Sequence, residues 1–242
     1  VVDSVVPANL RGPNNEWVAI AKRSRVMYYN PLNVSAEEME NLAYEDLSDA
    51  KWIGRIAIRS SGNMYNQSLV SSLISNNGVA ETEAWAHRFV GNFARKPEGN
   101  DRAQIMAVAN GEADIAIANS YYIGLMLSGK KGDEQRAAAR KVNLHFPSQA
   151  GRGAHINVSG VGLMKNSPNK ANAVKFIEFL LSDKAQEHIV NNTYEYPLSA
   201  NVAPSDLIAQ FGSGFKEDQT SVADYGKFNP EAVKLMDRVG WQ

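Results

Sequence analysis

The chain has 242 residues, 44% hydrophobic and 21% charged, enough to bury a core in one large or two modest domains. A formal net charge of −1 offers no broad basic field for nucleic acid or an anionic membrane surface, which leaves a small polar or ionic ligand as the expected partner. The absence of cysteine removes disulfides, thiolate metal sites and cysteine nucleophiles, so any metal must be held by oxygen or nitrogen donors.

Residues 17–30 alternate well enough to predict one long strand, or two broken near Arg23, ending at Pro31. Ser35 and Glu38 have the capping-box spacing, so a short helix opens there and runs to about Asn41. Residues 54–61 read as a buried strand entering Gly62 and Asn63, and the apolar positions 69, 70, 73 and 74 predict a helix beyond. A helix amino terminus presents unpaired N–H groups and partial positive charge, so Ser60, Ser61, Gly62 and Asn63 could hold an anion. The plainer reading is that Ser61 caps the helix.

Helical periodicity returns over 81–93, with Trp85, Phe89 and Val90 on one face, and over 102–110, closed by Gly111. Residues 113–118 form a short buried strand, followed by Tyr121 and Tyr122 and a short helix over 123–127. Residues 133–141 are a charged, Ala-rich helix of the solvated type. Residues 142–146 and 154–165 supply further strands. The clearest helix covers 171–191, burying Val174, Phe176, Ile177, Leu180 and Leu181 on one side, with a break at Ser182 and Asp183. Residues 204–215 are short helix and loop, and Asn229 with Pro230 starts a closing helix through about Val239. The alternation of strand and helix argues for an α/β fold with a mostly parallel sheet.

No apolar run approaches the ~20 residues that span a bilayer, and the chain does not open on a basic segment followed by an apolar signal core. A soluble, already processed chain is expected. The histidines His87, His145, His155 and His188 are scattered without metal-site spacing, so structural or surface roles are expected for them. The adjacent tyrosines carry more information. Two phenols at the carboxyl end of a sheet strand lie where open α/β sheets collect ligands. A Tyr-Tyr pair after a strand is also commonly one core ring and one surface ring.

Four stretches in order resemble the periplasmic ferric-ion-binding proteins of bacterial ABC importers, across almost the whole chain. They are Ala21-Lys-Arg-Ser-Arg25-Val, Arg59-Ser-Ser-Gly-Asn-Met-Tyr65-Asn-Gln, Gly111-Glu-Ala-Asp114 leading to Asn119-Ser120-Tyr121-Tyr122, and His155-Ile-Asn-Val-Ser-Gly160-Val-Gly. Tyr65 aligns the chain with the tyrosine-rich branch that includes cyanobacterial iron-binding proteins. The resemblance implies a type II periplasmic-binding-protein-like fold of two lobes, with Fe³⁺ in the cleft between them. Tyr121 and Tyr122 match its paired ligands and Tyr65 a third, with carbonate or another synergistic anion as a further component. It also implies Arg25 and Arg102 beside the ligands, offsetting phenolate charge or holding the anion. Its partner would be the permease of an ABC transporter in the inner membrane. The chemistry is apt, because hard Fe³⁺ prefers anionic oxygen donors. A phenol with an ordinary pKa near ~10 must lose its proton to the metal, which makes affinity pH-dependent.

The resemblance also implies strands, helices and a further His or Tyr ligand before the segment resembling residues 1–7. The expected division is residues 1–24 and 160–215 as the remnant of an incomplete N-terminal lobe, with 25–159 and 216–242 as the C-terminal lobe carrying the tyrosines. A lobe so shortened should expose an unpaired edge and apolar surface. The alternative function within the same fold is binding of a small organic or inorganic anion at the helix terminus near Ser61. An enzyme is disfavoured, since no nucleophile–base pair, paired carboxylates or nucleotide loop is present.

Overall fold

A computed structural model describes residues 1–212 and 214–242; Ser213, within the stretch 204–215 read as short helix and loop, lies outside the described residues. In chain order the elements are α1 (Val2–Val5), β1 (Trp17–Tyr29), α2 (Ala36–Met39), β2 (Ile56–Ala57), α3 (Met64–Asn77), α4 (Val79–Val90) and α5 (Asp101–Ala109). Then follow β3 (Ile115–Asn119), α6 (Tyr121–Leu127), α7 (Asp133–Ala139), β4 (Asn143–His145), β5 (Ile156–Gly162), α8 (Lys170–Leu180), α9 (Asp183–Thr193), α10 (Asp206–Ala209) and α11 (Val222–Arg238).

One strand organises the molecule. From Arg25 onward β1 pairs antiparallel with β3 and β4, and from Trp17 to Ser24 it pairs antiparallel with β5, through an irregularity between Ala19 and Ala21. The larger sheet runs β2-β3-β1-β4, and among the described residues β2 with β3 is the parallel pairing of strands. The expectation of a mostly parallel sheet is therefore corrected. A single strand long enough to serve two ladders brings its neighbours in against it, and each of those pairings is antiparallel.

The alternation that predicts β1 also explains its burial. Met27 and Tyr29 face one core with Ile115, Ile117, Leu69, Leu73 and Trp85, while Val26 and Tyr28 face a second with Ala116, Ala118, Ile105 and Ile123. Helices α3 and α11 pack together over the first face, and α5 lies against β3 on the second. A third, smaller cluster of Val6, Leu10, Ala19, Ile156, Leu181 and Leu198 gathers around β5.

Four local readings are revised. The strand expected over 54–61 is only Ile56–Ala57, because the chain turns away at Ile58 to build the loop before α3. The side of α8 expected to be buried is covered only in part: Leu181, just past the helix, is buried as expected and Ile177 and Leu180 are half-buried, but Val174 and Phe176 are 43% and 57% exposed. Amphipathic spacing predicts a helix, but burial needs a neighbour. The closing helix starts at Val222, capped by Ser221 Oγ accepting from Ala223 N, so Pro230 is internal rather than initiating. The carbonyl that a proline ring crowds belongs to the residue four back, here Gly226, whose bare backbone adapts most easily. The helix after the 54–61 stretch is capped by Asn63, whose side chain accepts from Tyr65 N, and not by Ser61. The capping box of Ser35 and Glu38 forms with both of its hydrogen bonds.

His155 sits at the switch between ladders. Its carbonyl accepts from Arg25 N, its Nε2 is 3.0 Å from Ser68 Oγ, and its ring lies 4.8 Å from that of Tyr225. Burial, then the nearby cations Arg25, Arg152 and Arg23, push its pKa down from 6.5 to about 3. The folded chain therefore holds this ring neutral. Its contribution to stability is complete above the unfolded value and is lost as pH falls from 6.5 toward 3. Urea unfolding should show stability falling by up to ~1.4 kcal/mol per pH unit across that window on this account. His155→Gln should flatten that slope.

Candidate functional site

The three tyrosines singled out in the sequence come together. Tyr121 and Tyr122 open α6 at the carboxyl end of β3, and Tyr65 stands in the first turn of α3. The hydroxyl oxygens of Tyr65 and Tyr121 are 3.2 Å apart, and the rings of Tyr121 and Tyr122 lie 4.3 Å apart, tilted by 32°. All three rings are half-buried, so the division into one core and one surface ring does not occur. Three phenols thus meet at one accessible place.

The strand end that presents the pair is fixed from several sides. Ser120 N donates to Ser24 O, Ser24 N donates to Ser120 Oγ, and the buried Tyr28 hydroxyl donates to Asn119 O at 2.9 Å. Helix α6 then packs closely through Gly124. A Cβ there would lie 2.8 Å from Tyr194 Cβ and 3.0 Å from Ile208 Cδ1. Gly124→Ala is expected to cost about 1–3 kcal/mol by overpacking, read as a lowered melting temperature, and to shift the helix that carries both phenols.

Beneath the phenols lies a buried ionic lattice that sequence reasoning found only in part. Arg25 donates to Asp101 Oδ1 and to Asn66 Oδ1, each at 2.5 Å, and to Asn119 Oδ1 at 3.1 Å. Asp101 also accepts from Arg59 Nη1 at 2.7 Å and from Asn119 N at 2.9 Å. Asn66 Nδ2 closes the loop before α3 by donating to the carbonyls of Arg59 and Ser60. One arginine and one aspartate therefore join β1, the end of β3, the start of α5 and the first turn of α3. Those are the elements that aim the phenols.

Cations surround Tyr65. The guanidinium carbons of Arg59, Arg23 and Arg25 lie 5.6, 5.7 and 5.8 Å from its ring centroid, within the range of attraction to an aromatic face. Arg102 is placed differently. It donates to Gln135 Oε1 of α7 at 2.8 Å, with no hydrogen bond to the phenol cluster among the described residues. Ser60 and Ser61 give their carbonyls to the side chains of Asn66 and Gln67, and Gly62 is exposed beside the capping Asn63.

Burial keeps Tyr121 and Tyr122 protonated when nothing is bound. Burial, followed by hydrogen bonds with Tyr122 and Tyr65, drives Tyr121 far above the ordinary phenol value. Tyr122 is raised as well, first by burial and also by the Asp101 charge. A cation that is to use these oxygens must displace their protons, and one of high charge does so most readily. No group of three His, Cys, Asp or Glu among the described residues could hold a metal, so the phenols are the outstanding donor cluster. His87 and His188 are exposed and His145 Nε2 is 3.2 Å from Leu42 O, in keeping with surface or structural roles.

Asp101, Arg59, Asn66 and Asn119 were not singled out as site residues from sequence. Arg59, Asn66 and Asn119 belong to stretches carrying the resemblance, whereas Asp101 lies just ahead of the helical periodicity over 102–110 and carries no signal of its own.

Comparison with known proteins gives concordant findings. The family model described as bacterial extracellular solute-binding protein matches residues 2–210. Iron uptake protein A1 of Synechocystis sp. is 49% identical over 242 residues, covering 100% of this chain and 66% of the relative. The Trichodesmium protein FutA, solved in complex with iron and citrate, superposes with a TM-score of 0.96 at 50% identity, over 100% of this chain and 75% of that one. The ferric binding protein from Campylobacter jejuni superposes with a TM-score of 0.91 at 38% identity, over 100% and 75% of the two chains. The chain thus spans 66% of the length of that curated Synechocystis relative.

Proposed function

The chain belongs to the bacterial extracellular solute-binding protein family, and with the type II periplasmic-binding fold of its iron-binding relatives as premise, we propose that it binds ferric iron through Tyr65, Tyr121 and Tyr122. It is a binding protein, not an enzyme. The observation that carries the iron reading is the convergence of three phenols, with the Tyr65 and Tyr121 oxygens 3.2 Å apart, in a chain without cysteine. Three phenolates neutralise Fe³⁺ formally, which lets the ion sit in a poorly hydrated place. The arginines around Tyr65 offset phenolate charge and favour a small carboxylate or carbonate beside the metal, consistent with the citrate and iron in the Trichodesmium structure. Protonation of the phenols removes the anionic donors and releases the cargo.

The division into lobes 1–24 with 160–215 and 25–159 with 216–242 is part of this proposal. It is supported by the ladder switch of β1 between Ser24 and Arg25 and by the packing of α11 on α3. So are a periplasmic location and delivery of iron to the permease of an ABC importer in the inner membrane, on the strength of the family. No helix among the described residues is long and apolar enough to cross a membrane.

Titration of the purified chain with Fe³⁺, with and without citrate or carbonate, is the test. The expected result is a visible phenolate-to-iron charge-transfer band that saturates at one equivalent. Absence of colour together with tight binding of an oxyanion would instead support the anion reading at residues 60–63.

A further inference from the structure

Of the three guanidinium groups around Tyr65, two belong to the lattice of the larger sheet: Arg25 and Arg59 both donate to Asp101. Arg23 does not. It lies on the part of β1 that pairs with β5, opposite Asn157, and its Nη1 donates to Ser159 Oγ at 3.0 Å and to Glu195 Oε1 at 3.2 Å. Ser159 Oγ in turn donates to Glu195 Oε1 at 3.1 Å, so the three side chains form a closed triangle. Arg23 and Glu195 are almost wholly buried, with 12% and 10% of their side chains exposed. A buried ion pair whose two members also share a third hydrogen-bonded side chain holds its geometry far better than a surface pair.

That triangle therefore holds the Arg23 guanidinium at a set position, and the position is over the Tyr65 ring. The contact joins two structural units. Tyr65 belongs to α3, which packs on the larger sheet, while the anchors of Arg23 belong to β5 and to the segment after α9. A motion of the β5 ladder relative to the larger sheet would therefore act on the Arg23–Tyr65 contact.

We infer that Arg23 is a positioning residue that ties Tyr65 to the β5 side of the molecule, so that retention of bound metal depends on the Arg23–Glu195–Ser159 triangle. The inference rests on the iron reading above. The Arg23 guanidinium lies 5.7 Å from the centre of the Tyr65 ring, against the face of a phenol that donates to the metal. Losing it frees the ring to swing and removes a cation from the face of the donor ring. The first effect speeds release. The second raises the energy of the donor electrons and moves the charge-transfer band to longer wavelength.

The test compares the parent chain with Arg23→Gln, Arg23→Lys and Glu195→Gln, each loaded with Fe³⁺ and citrate and challenged with excess chelator. Arg23→Gln and Glu195→Gln should release iron at least 10-fold faster, by the scale on which partners of metal ligands act. Arg23→Gln should also red-shift the band, and Arg23→Lys should restore the band but not the slow release, since an ammonium cannot span Glu195, Ser159 and the ring together. Far-ultraviolet circular dichroism of the loaded variants checks that each is folded. Release rates and band positions equal to those of the parent overturn the role of Arg23 and leave the iron reading intact. A parent chain that shows no band at all overturns both.

Discussion

Tyr121→Phe is expected to weaken ferric binding by more than ~100-fold, exceeding the 10–100-fold range seen when only an outer partner of a metal ligand is lost. Tyr121 sits between the other two phenols, against the Tyr65 oxygen on one side and the Tyr122 ring on the other. Its removal therefore takes away one donor and leaves the hydroxyl of Tyr65 without its neighbour. Tyr122→Phe and Tyr65→Phe should each lose part of the visible band, and the triple variant all of it. Magnitude separates the two readings of the site. If the phenols merely donate hydrogen bonds to an anion, each substitution removes one bond worth about 0.5–1.5 kcal/mol, or roughly tenfold in affinity. If they ligate iron, each loss is far larger and is accompanied by loss of colour. The pH dependence follows from the same groups. Tyr121 and Tyr122 are held above the ordinary phenol range, so binding expels their protons, and affinity for Fe³⁺ should rise steeply with pH until hydroxide competes for the metal. Competition titrations with a chelator of known pH behaviour measure the slope.

What the sequence discloses about this molecule depends on how local each cause is. The capping box at Ser35 and Glu38 is a matter of three residues, and it forms as expected. The strand β1 is legible because alternation over thirteen residues has no helical interpretation, even though its two-ladder role is not written in it. Pro230 misleads because the rule that proline opens a helix is local, whereas the preceding turn is secured by the Ser221 cap and by Tyr225 packing into the interior. The exposed face of α8 shows the converse. Its spacing states which side is apolar, and only tertiary structure states whether anything lies against it.

The site divides in the same way. Tyr121 and Tyr122 are visible as an adjacent pair at a strand end, a local signal that cannot tell packing from chemistry. Tyr65 is 56 residues away from Tyr121, and nothing in periodicity brings their oxygens together; only the resemblance to a family did so. The ionic lattice is less legible still. Arg25 reaches Asp101 across 76 residues, and Arg59 reaches it across 42, each reading alone as an ordinary surface charge. Arg102, which the resemblance places beside the ligands, is one position from the decisive aspartate. A one-residue step around a helix start turns a side chain toward a different neighbour, here Gln135.

That lattice should also govern stability. Asp101 is fully buried and accepts from Arg25, Arg59 and the Asn119 amide, and it is the shared carboxylate for both guanidinium groups. Removing one member of a buried ion pair leaves the other charged and unsolvated, which costs about 3–5 kcal/mol. Asp101→Ala is therefore expected to lower the melting temperature by roughly 10 °C for a chain of this size, at ~2–4 °C per kcal/mol. Asp101→Asn is the sharper experiment. It keeps the shape and one acceptor, but its amide faces either Arg59 or the Arg25–Asn119 side with a donor where an acceptor stood. The expected outcome is a smaller loss of stability together with a displaced Arg25. Because Arg25 donates to Asn66, and Asn66 closes the loop leading into Tyr65, that displacement should reach the phenols. Asp101→Asn should thus weaken iron binding more than its loss of stability alone accounts for. Unfolding curves and iron competition on the same sample decide it: an affinity equal to the parent's in a folded Asp101→Asn chain means that the lattice supports the fold without aiming the tyrosines.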